Sequence, residues 1–375
     1  MDQNLRLPII DYLHFKGRKQ GLPISGSFEL TARCNFKCPM CYVHLTQEQV
    51  NARGEELSAA QWLQIAQQAR DSGMVFALLT GGEPLLRKDF FEIYRGMKRM
   101  GLMISINTNG SLLSGEILEQ FKQEPPMRFN ISLYGGCRDT YRSMCGKDMF
   151  EQVVNNIRAL READINVSVN LSITPYNCGD LEEIHRITRE MNVPVKVANY
   201  MYPPVRVNGV YGCANRLSPE DSAEAMVRWY SLRDSKETFF ARAERLKAMQ
   251  PVEEQECILE LGSEMNCRAG RTGFWMTWDG KMTPCGMFTE PAAYPLKTGF
   301  AEAWESVRSQ TRSIRTPAKC VSCSKRKICH VCAAVCVTET GAFDQVPEYL
   351  CRQTDATIEK MWQAYQERKG EKHAD

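Results

Sequence analysis

The stretch Cys34-Asn35-Phe36-Lys37-Cys38-Pro39-Met40-Cys41 holds three thiols in the spacing Cys-x3-Cys-x2-Cys. It follows a short run, 28–31, whose alternation of apolar and polar residues predicts a β-strand. A structural zinc ion takes four ligands, and a cube of four irons is usually held by four thiolates. Three close thiols with no obvious fourth therefore indicate an iron–sulfur cluster with one iron open to a small molecule. A zinc knuckle completed by His44 is the alternative that this loop leaves open.

A second motif, Gly81-Gly82-Glu83-Pro84, follows the apolar run 74–79. By itself this tetrapeptide is typical of a turn. Its position after a second predicted strand, downstream of the three cysteines, is more specific. Together the two motifs resemble those of the radical S-adenosylmethionine (SAM) superfamily.

Strand-like and helix-like patterns alternate from residue 26 to 200. Beyond the first strand, strand patterns cover 74–80, 102–107, 128–133, 165–173 and 193–198, with helical patterns between them. Six such units predict parallel strands with right-handed crossovers, and therefore an α/β fold with a partial (β/α)6 TIM-like barrel open on one side. Ligands bind at the carboxyl ends of such strands, so both motifs are predicted to meet at that rim.

The composition fits a globular protein with a large core. The 375 residues are 43% hydrophobic and 25% charged, and the formal net charge of +2 argues against a nucleic-acid partner. No apolar run is long enough to span a bilayer, and the first residues lack an apolar signal core, so we expect a cytoplasmic protein without a membrane partner. Sixteen cysteines in such a chain favour metal ligation over disulfides.

The chain divides into five predicted segments. An irregular lead-in covers 1–25 and the partial barrel covers 26–200. A helical bridge follows over 201–256, opened by Ser218 as N-cap and Pro219. A cysteine-rich domain covers 257–351 and contains a hairpin at Asp279-Gly280. A C-terminal amphipathic helix and tail cover 352–375.

The cysteine-rich domain carries the pattern Cys267-x12-Gly280-x4-Cys285, then Cys320-x2-Cys323-x5-Cys329-x2-Cys332-x3-Cys336, and finally Cys351. Spacing alone also permits a pair of structural zinc sites. The full pattern resembles the SPASM extension of radical SAM enzymes, which usually holds two auxiliary [4Fe-4S] clusters. The resemblance implies that auxiliary cluster II uses Cys320, Cys323, Cys329 and Cys351. It implies that auxiliary cluster I uses Cys267, Cys285 and either Cys332 or Cys336, with Cys257 as a further candidate ligand.

For the first motif, the resemblance implies that Cys34, Cys38 and Cys41 hold a [4Fe-4S] cluster whose open iron binds SAM. One electron then cleaves SAM, and the 5′-deoxyadenosyl radical removes a hydrogen atom from the substrate. Gly81, Gly82, Glu83 and Pro84 bind the methionine part of SAM, and Ser132 resembles the ribose contact. Asn109, in Thr-Asn-Gly, reads as a turn residue, Cys145 reads as a small buried residue, and Lys325-Arg326-Lys327 reads as a solvated loop.

The resemblance implies a maturase that oxidatively modifies a ribosomally made peptide, forming a thioether or carbon–carbon cross-link, with three [4Fe-4S] clusters, SAM and a flavodoxin- or ferredoxin-type reductant. A sulfatase-type formylglycine maturase is the nearest alternative. Those enzymes usually place Asp after the cysteine that closes the Gly-x4-Cys element, whereas Gly286 follows Cys285 here. A non-enzymatic zinc or iron–sulfur electron-transfer protein is the alternative from another class.

Overall fold

The structure, a computed structural model, describes residues 8–370 except 44, 210, 211, 213, 214 and 251–266. The expectations for His44 and Cys257 therefore lie outside the described residues. The strands are β1 (Ser25–Glu29), β2 (Phe76–Thr80), β3 (Met103–Thr108), β4 (Arg128–Ser132), β5 (Val167–Ser172), β6 (Val195–Ala198), β7 (Gly273–Met276) and β8 (Met282–Thr283).

The helices of the first half are α1 (Ile9–Gln20), α2 (Gln47–Arg53), α3 (Ala59–Asp71), α4 (Phe90–Arg99), α5 (Gly115–Gln123), α6 (Arg138–Cys145), α7 (Phe150–Glu162) and α8 (Leu181–Glu190). Those of the second half are α9 (Val205–Asn208), α10 (Pro219–Arg233), α11 (Lys236–Lys247), α12 (Pro295–Thr298), α13 (Phe300–Ser313), α14 (Ala318–Val321), α15 (Ala333–Thr340) and α16 (Glu348–Gly370). Short 3-10 turns cover Pro84–Leu86 and Ser324–Lys327. No helix in the described part of the chain has both the length and the apolar character that a bilayer crossing requires.

The sheet runs in the order β6-β5-β4-β3-β2-β1-β7-β8. Strands β1 to β6 pair in parallel, which confirms the partial barrel predicted from the six repeated units. Two further strands extend it, because β7 pairs in parallel with the free edge of β1 and β8 returns antiparallel. The predicted hairpin at Asp279-Gly280 is confirmed, but it belongs to the barrel sheet and not to a separate unit.

The two faces of the sheet differ in polarity. Phe28, Ile106, Phe129 and Val169 are fully buried in the core that the sheet forms with its surrounding helices. Side chains one residue away point to the opposite, concave face, because successive strand residues alternate. That face carries Glu29, Thr80, Asn107, Asn130 and Ser168 in register, where closed barrels usually pack branched apolar residues. The concave face therefore encloses a polar lumen, open between the end strands β6 and β8.

The expectation of an irregular lead-in was wrong. Helix α1 starts after Pro8 and ends at Gly21, which takes the left-handed conformation that favours glycine at a helix C-terminus (φ 72°). The Nδ1 atom of buried His14 lies 2.8 Å from the hydroxyl of Thr272, just before β7. Helix α1 therefore packs beside the late strand that completes the sheet, a contact that the local sequence does not reveal.

The helical bridge and the C-terminal helix form a common layer. Ser218 caps α10 by accepting a hydrogen bond from the Asp221 N–H (3.0 Å), as its N-cap position predicts. Helices α10 and α11 pack on α16 through a small core of Val227, Phe239, Ala243, Leu246, Met361 and Tyr365. The sequence patterns did not identify α2, α6 or α13.

Phe28 on β1 packs against α3 and β7, and replacing it with alanine tests how much this packing contributes to stability. Its ring meets the edges of Trp62 on α3 (5.9 Å between centroids) and Phe274 on β7 (5.8 Å). We predict that Phe28→Ala lowers the free energy of unfolding by about 3–5 kcal/mol, because a buried aromatic ring is lost and a cavity remains. Phe15→Ala, whose ring is half exposed on α1, should change it by less than about 0.5 kcal/mol. Urea unfolding of both variants checks this, and equal losses would contradict it.

Candidate functional site

The base of the three-cysteine loop is joined to the Gly-Gly-Glu-Pro segment by main-chain hydrogen bonds. The Gly82 N–H donates to the Thr31 carbonyl (2.7 Å) and the Glu83 N–H donates to the Arg33 carbonyl (2.8 Å). A Cβ atom on Gly82 would lie 2.3 Å from the Arg33 oxygen, and one on Gly81 would lie 2.6 Å from the Thr31 oxygen. Both positions require glycine because backbone lies directly against backbone.

Glu83 points away from the rim and into the protein. Its buried carboxylate accepts hydrogen bonds from the N–H groups of Leu85 (3.1 Å) and Asn109 (2.7 Å) and from the Thr108 hydroxyl (2.8 Å). Burial raises its pKa to about 7, against the opposing effect of these hydrogen bonds. Glu83 therefore ties the turn, which continues with Pro84 at the start of a 3-10 turn, to the end of β3.

Asn109 does more than form a turn. Its Nδ2 donates to the Asn35 Oδ1 (2.8 Å) and approaches the Cys34 sulfur at 3.8 Å, while its Oδ1 accepts from the Ser111 N–H (2.9 Å) and hydroxyl (2.7 Å). The Asn35 amide in turn donates to the Ser111 hydroxyl (2.9 Å). This network holds the cysteine loop against the end of β3. The Thr-Asn-Gly signal was visible in the sequence, but its partner was not.

The three predicted thiols of the first site share one half-buried region. Cys34 lies within electrostatic range of Cys38, Cys41 and Glu83, and burial raises its pKa to about 12. Cys38 forms a side-chain hydrogen bond with Cys145, which, with burial, raises the pKa of Cys38 further. The prediction that Cys145 is a small buried residue is confirmed, and α6 brings its thiol beside Cys38 under the loop. A loop of three thiols backed by apolar Phe36 fits a thiolate-bound cluster, since metal binding deprotonates such thiols.

A second group joins Cys267, Cys285 and Cys332, which lie within electrostatic range of one another. Burial raises the pKa of Cys285 to about 12, and the Cys332 sulfur lies 4.0 Å from the Tyr202 hydroxyl. Cys336 is buried between this group and the next, within range of Cys332, Cys320 and Cys329. Of the two alternatives for auxiliary cluster I, the structure places Cys332 with the other two thiols.

A third group lines one pocket, formed by Cys320, Cys323, Cys329, Cys351, Lys325, Arg326, Val331, Pro347, Leu350 and Thr354. All four cysteines expected for auxiliary cluster II face it. The expectation that Lys325-Arg326-Lys327 is a solvated loop was wrong for its middle residue, because Arg326 is only 9% exposed. Its Nη2 donates to Thr316 (3.2 Å), and its buried Nε has no hydrogen-bond partner among the described residues. A buried cation beside four thiols fits an anionic cluster.

No three His, Cys, Asp or Glu side chains within the described residues meet tightly enough to hold a single metal ion. Ser132 ends β4 on the lumen side, and its side chain hydrogen-bonds with Tyr134.

A buried ion pair lies between the first and second cysteine groups. Arg206 donates from Nη2 to both oxygens of Glu29 (3.0 Å each) and from Nη1 to the Gly286 carbonyl (2.7 Å), and the Trp275 indole also donates to Glu29 (2.8 Å). Tyr42, directly after Cys41, lies within electrostatic range of Cys285, Glu29 and Arg206. The ion pair and Tyr42 therefore lie next to both cysteine groups, a placement that the sequence did not indicate.

The comparison with known families fits this geometry. Residues 28–188 match the family model of the Radical SAM superfamily. These residues form a radical SAM domain. The domain contains both the three-cysteine loop and the Gly-Gly-Glu-Pro segment, and the family implies SAM and a [4Fe-4S] cluster, for which Cys34, Cys38 and Cys41 are fitting ligands.

Similarity to known proteins extends beyond the radical SAM domain. The chain is 27% identical to an AdoMet-dependent heme synthase of Methanosarcina barkeri over 340 residues, 86% of this chain and 95% of that protein. In fold it is similar to Streptococcus suis SuiB bound to S-adenosylmethionine (TM-score 0.64, 18% identity, 94% of this chain and 82% of that one). It is also similar to anSMEcpe with bound AdoMet (TM-score 0.69, 15% identity, 92% of this chain and 96% of that one).

The close approach at Gly82 generates a prediction for SAM binding. A methyl group in Gly82→Ala must push the Gly-Gly-Glu-Pro segment away from Arg33, so we expect SAM affinity to fall by at least about tenfold, or about 1.4 kcal/mol. Gly179→Ala is the matched control, since a Cβ there meets nothing within 4 Å. Equilibrium dialysis with the iron-loaded protein measures both, and equal affinities for the two variants would refute the argument.

Arg326 generates a second prediction, on the third cysteine group. Removing its charge in Arg326→Gln should leave four cysteines for iron but disfavour the extra negative charge of a reduced cluster. We expect the midpoint potential of that cluster to fall by about 60 mV, equivalent to about 1.4 kcal/mol for one electron. The control is Lys327→Gln, whose side chain is exposed. Potentiometric titration followed by electron paramagnetic resonance checks the shift, and an unchanged potential in Arg326→Gln would contradict it.

Proposed function

We propose that this protein reductively cleaves SAM to form a 5′-deoxyadenosyl radical and uses it to oxidise a peptide substrate, in the manner of a peptide maturase. The proposal rests on the main-chain hydrogen bonds that join the three-cysteine loop to the Gly-Gly-Glu-Pro segment at the rim of a polar barrel lumen. Cys34, Cys38 and Cys41 would hold a [4Fe-4S] cluster, which would supply the electron that breaks the C5′–S bond of SAM. The protein supplies position and shielding.

The residues around the loop have different roles in binding the metal and SAM. Cys34, Cys38 and Cys41 hold the metal, and Asn109 and Asn35 fix the loop around it. Gly81 and Gly82 keep the backbone close enough to bind the methionine part of SAM, with Glu83 and Pro84 shaping the turn. Ser132, at the lumen end of β4, is our candidate for the ribose contact.

The two further cysteine groups support a net oxidation. In our proposal Cys267, Cys285 and Cys332 hold one auxiliary cluster, to which Cys257 is a further candidate ligand, and Cys320, Cys323, Cys329 and Cys351 hold another. Clusters held by these cysteines would accept the electron that remains after a radical forms a new bond. Lys319, within electrostatic range of Cys351, and exposed Lys327 offer a basic surface for an acidic flavodoxin- or ferredoxin-type reductant.

A peptide substrate is supported by the unclosed side of the sheet between β6 and β8, where no strand pairing bars entry to the lumen face. The structure of SuiB bound to its precursor peptide SuiA has a similar fold (TM-score 0.66). The sulfatase-type alternative is less well supported, because Gly286 follows Cys285 where those enzymes usually carry aspartate, and a Cβ at this position would lie 3.0 Å from the Trp275 ring.

A tetrapyrrole is the second candidate substrate. It is favoured by the 27% identity to a heme synthase over 95% of that protein's length.

The proposal predicts a product and a metal content. The reconstituted, reduced protein should release 5′-deoxyadenosine from SAM and hold about twelve irons, four for each of three clusters. The triple variant Cys34→Ala, Cys38→Ala, Cys41→Ala should release none and keep about eight irons, because the other two groups are intact. Chromatography of the nucleoside and anaerobic metal analysis provide the two readouts.

Cys137 offers a control for these changes. Cys137→Ala removes a thiol outside all three groups and should leave both readouts unchanged. A wild-type protein with two zincs, little iron and no nucleoside product would instead support the electron-transfer or zinc-protein reading.

A further inference from the structure

Four side chains form a hydrogen-bonded ladder across the lumen face of the barrel. The Asn130 Oδ1 accepts from the Ser168 hydroxyl (2.8 Å) and from the Lys196 ammonium (3.2 Å), and the Asn130 Nδ2 donates to the Asn107 Oδ1 (2.9 Å). Asn130 is opposite Asn107 on β3 and Ser168 on β5 in the strand register. All of these side chains therefore point to the concave face, away from the helices.

The direction of these hydrogen bonds is fixed by Lys196. An ammonium group only donates, so the Asn130 oxygen must face it, and the Asn130 amide nitrogen must face Asn107. The Asn107 oxygen is thereby used, and its own NH2 group remains a donor with no partner among the described residues. The ladder thus presents an ammonium at one end and an amide donor at the other.

The charge at this place is positive and uncompensated. Arg128, at the start of β4, lies within electrostatic range of Lys196, and neither forms an ion pair with a carboxylate among the described residues. Partial desolvation and this neighbouring cation lower the pKa of Lys196, although its side chain remains exposed to solvent. The lumen carboxylate Glu29 is already bound by Arg206. An anion from outside the protein would relieve the repulsion between the two cations.

The ladder lies directly beneath the SAM rim. Asn107 precedes Thr108 and Asn109, which hold Glu83 and approach Cys34, so the ladder is within about 7 Å of the rim along the strand. A group bound there would be part of the molecule that reacts. Lys196 is on the end strand β6, beside the open side through which a substrate can enter.

We propose that Lys196, Arg128 and the Asn107 amide bind a carboxylate of the substrate in the barrel lumen, with Asn130 as the residue that positions Lys196 and Asn107. The inference rests on the proposed function for the identity of the bound molecule as substrate. The carboxylate can come from an acidic side chain or C-terminus of a peptide, or from an acid side chain of a tetrapyrrole.

The test uses the reactivity of Lys196 in the full-length, iron-loaded protein. Acetylation by an N-hydroxysuccinimide ester is followed by mass spectrometry in the presence of benzoate or its neutral counterpart benzamide. Benzoate at about three times its dissociation constant should slow acetylation of Lys196 about fourfold, because only unoccupied protein reacts. Benzamide should not slow it, and Lys122, exposed on α5, is the internal control in the same digest. Equal protection by benzoate and benzamide, or none by either, overturns the proposal.

Two variants distinguish a change in the ladder itself from a general effect of added negative charge. Asn130→Asp keeps the side-chain shape but places a fixed carboxylate beside Lys196, so benzoate should no longer protect. Asn166→Asp, whose amide donates to the Met127 carbonyl outside the ladder, should keep wild-type protection. Undiminished protection in Asn130→Asp would overturn the proposal.

Two probe pairs identify the source of the carboxylate. Protection by protoporphyrin IX and not by its dimethyl ester supports a tetrapyrrole acid. Protection by an aspartate-containing peptide and not by its asparagine counterpart supports a peptide acid. The same preparation is assayed for 5′-deoxyadenosine, so that carboxylate binding without this product upholds the ladder and refutes the proposed function, and the reverse result refutes only the ladder.

Discussion

The structure depends on one close contact, in which the backbone of Gly81 and Gly82 lies against the backbone of Thr31 to Arg33. The two hydrogen bonds formed there extend the pairing of β1 with β2 beyond the ends of the strands. No side chain fits between them, so the cysteine loop and the Gly-Gly-Glu-Pro segment are held at a fixed separation. Glu83 links this contact to the end of β3 by accepting hydrogen bonds from Thr108 and Asn109, and the Asn109 side chain approaches the Cys34 sulfur. Hydrogen bonds therefore join the ends of three neighbouring strands, β1, β2 and β3, around the site.

A second constraint joins the barrel to the cysteine-rich C-terminal part. Arg206 reaches from α9 to Glu29 at the end of β1 and to the carbonyl after Cys285, while Trp275 on β7 completes the set. A buried ion pair of this kind is costly to leave half-formed, because the remaining charge has no water. The pair therefore favours one relative placement of the first and second cysteine groups, with Tyr42 between them.

Much of the fold followed from local pattern. Alternation of strand and helix signals predicted the six parallel units, and Ser218 was correctly identified as an N-cap, since the N–H group that it caps lies three residues away. Helix α1 was missed because its four glycine and proline residues, within or next to it, suggested an irregular segment. Strand β7 was identified as part of a hairpin but not as a neighbour of β1, since pairing between residues some 250 positions apart leaves no mark on local periodicity.

The sequence by itself determined the chemistry available to this protein. Thiol spacing, the glycine pair and the order of the motifs along the chain are local properties, and they identified the radical SAM domain and the candidate ligands. Only the tertiary structure decided which thiols meet. It placed Cys332 with Cys267 and Cys285, brought Cys145 to Cys38, buried Arg326 among four cysteines, and aligned Lys196, Asn130 and Asn107 across three strands. These contacts depend on strand register and helix packing, which are set by burial over the whole chain and not by any neighbouring residues.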